Sequence, residues 1–202
     1  MRPTSRDVFI NCPFDTEYKL FFQATVFVVI RSGFRPRCAL ETDDSSENRF
    51  EKICNIISDC RYGIHDISRT QLDGRYKLPR FNMPLELGVF LAAKRFGARA
   101  HKLRRCIVFD KQQYRYQKYI SDIAGRDINS HDGRLPILIE KLASWLRRES
   151  GDRKVPGGRK IASEFNVFKR EIAKICAARN LQPGELTFGD YAQMVAEYLE
   201  TV

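Results

Sequence analysis

Residues 7–34 read DVFINCPFDTEYKLFFQATVFVVIRSGF. Asp7 to Asn11 is an apolar run of strand length, and Pro13-Phe14-Asp15 breaks it. From Tyr18 to Arg31 the apolar residues continue for the length of a helix. Gly33 then supplies the residue type that ends helices, since it turns left-handed without steric cost. Strand, break, helix and stop together predict one βα unit, and the alternation repeats downstream. Phe34 to Leu40 is a second strand candidate, pushed toward a sheet edge by Pro36. After the acidic loop Glu41 to Ser46, Ser46 is expected to cap a helix from Glu47 to Asp59. Its Phe50, Ile53, Cys54 and Ile57 follow the three-four spacing. Tyr62 to Ile67 (YGIHDI) is a third strand, and Ser68 to Phe81 is a long basic loop. Asn82 is expected to cap a helix that tolerates Pro84 in its first turn and stops at Gly97. Cys106 to Asp110 is a fourth strand. Tyr114 to Ala124 and Leu135 to Arg148 read as further helices. The predicted fold class is α/β, a flavodoxin-like parallel sheet with helices on both faces, over residues 1–149. The stretch Ser150 to Gly158 reads as a linker. It leads to a C-terminal helical extension over 159–202, with helices at Lys160–Arg179 and Thr187–Val202.

The chain has 202 residues, enough to bury a core without disulfides. Its six cysteines form no CxxC pair and no zinc-finger spacing with histidine, which predicts no metal site and buried thiols in a reducing cytosol. MRPTSRDVFIN carries no apolar signal core, and the run Ala24–Ile30 is too short to span a bilayer. The expectation is a soluble cytoplasmic protein with no membrane partner. The net charge of +10 is uneven, with eight basic residues against one acidic between Arg95 and Lys118 and ten against four between Arg147 and Arg179. Such segments attract polyanions, although charge alone does not establish nucleic-acid binding.

One acid is out of place. In Leu85–Phe96 (LELGVFLAAKRF), Glu86 shares a helical stripe with Phe90 and Ala93, where a carboxylate is costly unless paired or used. In an open parallel sheet, ligands bind beyond the carboxyl ends of the strands. Three polar clusters fall there: Asn11 to Asp15, then His65, Asp66, Ser68 and Arg69, then Asn82 and Glu86. Gly88 would allow close approach of a ligand. Strand alternation sends His65 and Asp66 to opposite faces, which removes His65 as a proton donor to a shared cleft. His101 and His131 lie in polar segments and are expected at the surface. Arg69, Arg75, Lys77 and Arg80 are candidates for a phosphate clamp.

These residues carry a resemblance. DVFINCPFD, the strand-ending HDIS and the helix-opening NMPLELGVFLAAKRFG look like the superfamily of nucleoside 2-deoxyribosyltransferases and TIR-type NAD glycohydrolases, over roughly Arg6 to Asp110. The resemblance implies a flavodoxin-like sheet. It implies that Glu86 attacks or stabilises the anomeric carbon and that Asp66 holds the sugar or base. By the same carry-over Cys12, Pro13, Phe14 and Asp15 line the pocket, and strand-end placement adds Ser68, Arg69, Asn82 and Gly88 as candidate binding residues. Arg80-Phe81-Asn82 stands where the deoxyribosyltransferases often have D-G-T, which tilts the likeness toward the TIR side. The implied activity is cleavage of the N-glycosidic bond of NAD or a related nucleotide, with the nucleotide as substrate and no separate cofactor. The resemblance further implies a role as a bacterial defence effector, and the C-terminal helices are expected to mediate homo-oligomer contacts or partner binding. The alternatives from the sequence are a non-catalytic nucleotide-sensing module on the same fold and a basic nucleic-acid-associated protein.

Overall fold

A computed structural model describes residues 4–69, 72, 79 and 81–201. The strands are β1 (Thr4–Asn11), β2 (Arg35–Arg37), β3 (Cys60–Asp66), β4 (Arg105–Asp110) and β5 (Asn129–Ser130). They form one all-parallel sheet of five strands in the order β2-β1-β3-β4-β5, the flavodoxin-like arrangement. The helices are α1 (Lys19–Arg31), α2 (Arg49–Asp59), α3 (Asn82–Phe96), α4 (Leu135–Ser150), α5 (Gly158–Ala177) and α6 (Phe188–Glu200).

The pleat sorts the strand residues between two apolar layers. Val8 and Ile10 of β1, Tyr62 and Ile64 of β3, and Ile107 and Phe109 of β4 face α1 and α4. Phe9 faces the other way, against Ile53, Ile56 and Ile57 of α2 and Phe90 of α3. Val108 packs on that side with Met83 and Leu87 of α3. Both faces of the sheet are covered, as parallel sheets require. Gly63 makes room on the α3 side, because a Cβ there would sit 2.8 Å from the Phe90 ring.

The short edge strand β2 contains Pro36 and is fastened by charge. Buried Asp7 of β1 accepts from Arg35 at 2.7 and 2.5 Å and from Arg37 at 3.2 Å. The C-terminal helices form a third layer on the α1/α4 side. Phe165 and Phe168 of α5 pack on Phe27 of α1, with ring centroids 5.4 and 5.5 Å apart. Arg31 of α1 and Glu164 of α5 form a two-pronged ion pair at 2.7 and 3.1 Å. Val155 in the connection is buried in the same core, so α5 and α6 share the apolar core of the sheet domain.

Several local expectations are corrected. Asn48, not Ser46, caps α2, its side chain accepting from the Phe50 and Glu51 amides. Asn82 is the first residue of α3, and the N-cap position falls on Phe81, which offers no capping oxygen. The predicted helix Tyr114–Ala124 is two 3-10 turns, Arg115–Lys118 and Ser121–Ile123, because Tyr119 (φ −137°) and Ile120 (φ −140°, ψ 70°) leave helical geometry between them. The two-residue strand β5 has no counterpart in the predicted elements. Among the described residues no helix is long and apolar enough to cross a membrane, and no group of His, Cys, Asp and Glu could hold a metal ion.

Candidate functional site

The polar strand ends gather at the carboxyl edge of the sheet, at the β1/β3 crevice where the strand order reverses. Asn11 closes β1 by donating its amide to the Met83 carbonyl at 2.8 Å, which fixes the start of α3 against the strand. The same amide nitrogen lies 3.0 Å from His65 Nδ1. His65 is fully buried between Phe9 and Phe90, and burial lowers its pKa to about 3, so it is a neutral core residue on the α3 side.

Asp66 has the same pleat parity as Tyr62 and Ile64 and therefore points to the α1 side. It accepts from the Tyr18 hydroxyl at 2.5 Å and from the Ser68 amide at 2.8 Å. His131 Nε2 lies 3.1 Å from the same carboxylate. The Gly133 amide donates to His131 Nδ1 at 3.0 Å, which leaves the ring proton on Nε2, and Nε2, although close to Asp66, makes no hydrogen bond. His131 is 3% exposed, which corrects its expected place at the surface. The turn Asp132-Gly133, with φ of 54° and 67°, folds the chain back to put it there.

Glu86 approaches from the opposite face of the sheet. It sits one turn into α3 and is 8% exposed. No hydrogen bond or ion pair joins its carboxylate to a described residue. Burial raises its pKa from 4.5 to about 7, against a smaller pull downward from Arg49. Cys12, the residue after β1, is buried. Its thiol is pushed well above the ordinary value by burial first, then by Asp66, Cys38, Glu86 and Asp15. A thiol held neutral in this way is no nucleophile.

Asp66, Glu86 and Asp15 all act electrostatically on Cys12 near this strand end, but Asp66 points to the α1 side and Glu86 lies on the α3 side; Pro13 is buried and Phe14 half-buried. Asp15 accepts from the Tyr18 amide at 3.0 Å and pairs with Arg69 at 3.1 Å; Arg69 also bonds Glu17. Ser68 receives Arg115 on its carbonyl at 2.7 Å. Asn82 is exposed at the start of α3. Gly88 is exposed as well, and a Cβ there would meet no described atom within 4 Å, so its lack of a side chain answers no close approach among the described residues. Arg75, Lys77 and Arg80 lie outside the described residues.

Tyr18, His131 and the pair Asp110–Arg115 were not singled out from the sequence. Buried Asp110 accepts from the Lys111 amide, from Arg115 and, at 3.0 Å, from Tyr119. A signal for Asp110 was present, since it ends β4 as Asp66 ends β3. None marked His131, whose placement depends on a strand of two residues. Comparison of the chain with protein-family models, with curated proteins and with solved structures finds no match.

Proposed function

We propose that the protein cleaves the N-glycosidic bond of NAD or a related nucleotide, with Glu86 as the group that meets the ribosyl cation. One observation carries this reading: Glu86 is 8% exposed at the carboxyl edge of the sheet, and no described side chain neutralises it. Structural carboxylates that are buried are paired. One kept unpaired, with its pKa raised to about 7, has the character of a reacting group.

The chemistry needs little else. As the bond from C1′ to the nicotinamide nitrogen breaks, its electron pair goes to that nitrogen and neutralises the pyridinium ring. Positive charge appears at C1′ and the ring oxygen of the ribose. An ionised Glu86 stabilises that charge or bonds to C1′, and water then completes the hydrolysis, releasing its second proton to solvent. The cationic substrate itself favours the ionised form of Glu86. In this reading Asp66, held by the Tyr18 hydroxyl and the Ser68 amide, takes the sugar hydroxyls.

The leaving group decides the substrate class. A neutral base needs a proton donor, and His65 is sealed in the α3-side core with its pKa lowered to about 3. The reading therefore expects cleavage of NAD and none of a neutral nucleoside such as thymidine. Chromatography of both reactions tests it, and faster cleavage of thymidine than of NAD overturns it.

A further inference from the structure

The outer face of α3 is apolar. The exposed positions from Phe81 to Phe96 are Phe81, Asn82, Leu85, Gly88, Ala92, Arg95 and Phe96, and all but Asn82 fall on one stripe at three-four spacing. Arg95 alone on that stripe is polar, whereas the outer face of a surface helix ordinarily carries charged and polar side chains. Phe81, Leu85 and Phe96 are 63%, 56% and 84% exposed. Gly88, in the middle of the stripe, has no purpose inside the chain, since a Cβ there would meet no described atom within 4 Å. A glycine inside a helix weakens it relative to alanine. Its one advantage at an open position is to let a second backbone come close from outside.

The stripe is complementary to itself. Leu85 precedes Gly88 by three residues and Ala92 follows it by four; Phe81 precedes it by seven and Phe96 follows it by eight. Two copies of α3 crossing antiparallel at Gly88 therefore set Leu85 of each copy over Ala92 of the other and bring Phe81 to Phe96. Charge selects the same orientation. Helices α2 and α3 lie side by side and both run from the carboxyl edge of the sheet to its amino edge. At the carboxyl edge, Asp43, Asp44, Glu47 and Glu51 are exposed beside a single exposed cation, Arg49. At the amino edge, Arg95 and the turn that follows α3 expose Arg95, Arg99 and Lys102. None of these four acids and three cations has an ion-pair partner among the described residues. An antiparallel pair lays the acidic end of one copy against the basic end of the other, and a parallel pair would set like charges together.

We propose that α3 is the contact of a homodimer, in which two copies of the chain cross antiparallel about a two-fold axis at Gly88. The contact lies on the sheet domain and not on α5 or α6. It is independent of the glycosidic-cleavage reading, because no part of it depends on turnover or on a bound nucleotide.

The test is sedimentation velocity of the full chain over a concentration series. The wild type is expected to form a dimer. Leu85→Lys, which puts a charge on the stripe, and Gly88→Leu, which blocks the crossing, are each expected to weaken that dimer at least tenfold. Both positions are exposed, so the variants are expected to keep the circular dichroism of the wild type, and a lost dimer is then not a lost fold. Val167→Lys, on the exposed face of α5, is expected to leave the dimer unchanged. A monomeric wild type overturns the proposal. So does a dimer that survives both α3 substitutions, or one that Val167→Lys dissociates.

Discussion

Glu86 costs the fold stability. The unfolded chain ionises it at 4.5 and the folded chain at about 7, so the native state holds the extra proton between those values. Stability from this group is greatest below pH 4.5, falls as pH rises toward 7 and then levels off. The shift corresponds to on the order of 3 kcal/mol at most. Glu86→Gln is therefore expected to raise the melting temperature at pH 8 and to change it little at pH 4.5, as scanning calorimetry at the two values would read. A lower melting temperature at pH 8 would mean that the carboxylate holds the structure together. At this scale the sequence was informative where polarity broke a pattern, as at Glu86 on its apolar stripe. It was silent on His131, whose polar neighbours conceal a ring that the Asp132-Gly133 turn drives inward.

Among the elements, β3 and α3 meet closely at Gly63. A Cβ on Gly63 would come within 2.7 Å of His65 Nε2 and 2.8 Å of the Phe90 ring. Gly63→Ala must push α3 outward or turn His65, at a cost of about 1–3 kcal/mol. Chemical denaturation is expected to show a lower midpoint, and the same displacement would move Glu86 away from the strand ends. An unchanged midpoint would show that α3 gives way freely. The principal strands and α1 to α6 were readable from periodicity, because both faces of the sheet demand apolar runs and every helix needs an apolar stripe. The region after β4 was not. YRYQKYISDIA has helical composition, yet Tyr116 and Tyr119 are committed to loop contacts: their hydroxyls reach the Arg126 and Ile67 carbonyls at 3.4 and 3.1 Å. Tertiary bonds there outweigh helix propensity, and β5 is too short to leave a periodic signal.

For the whole molecule, the shared core predicts one folding unit. Trp145, the single tryptophan, is buried with its ring 6.0 Å from Tyr62, in the core that also takes in Phe165, Phe168 and Val195. Fluorescence and far-ultraviolet circular dichroism are expected to report the same unfolding transition. Phe168→Ala should shift both by about 3–5 kcal/mol. Loss of helical signal ahead of the fluorescence change would instead make α5 and α6 a separate unit. The linker composition of Ser150 to Gly158 concealed this, because Val155 alone carries its anchoring to the core. The basic character is likewise partly structural. Arg104 is fully buried, bonding the Ser58 carbonyl at 2.9 Å, and Arg115 is held by Asp110. Arg105 of the same segment pairs with Glu149 at 3.4 Å. The proposed cleavage depends on the carboxylate of Glu86 meeting a ribosyl cation. The most direct measurement is release of nicotinamide from NAD by the purified full chain, wild type against Glu86→Gln. Release by the wild type and at least a thousandfold loss in the variant is the predicted result. No release by the wild type, or release that survives the substitution, contradicts it.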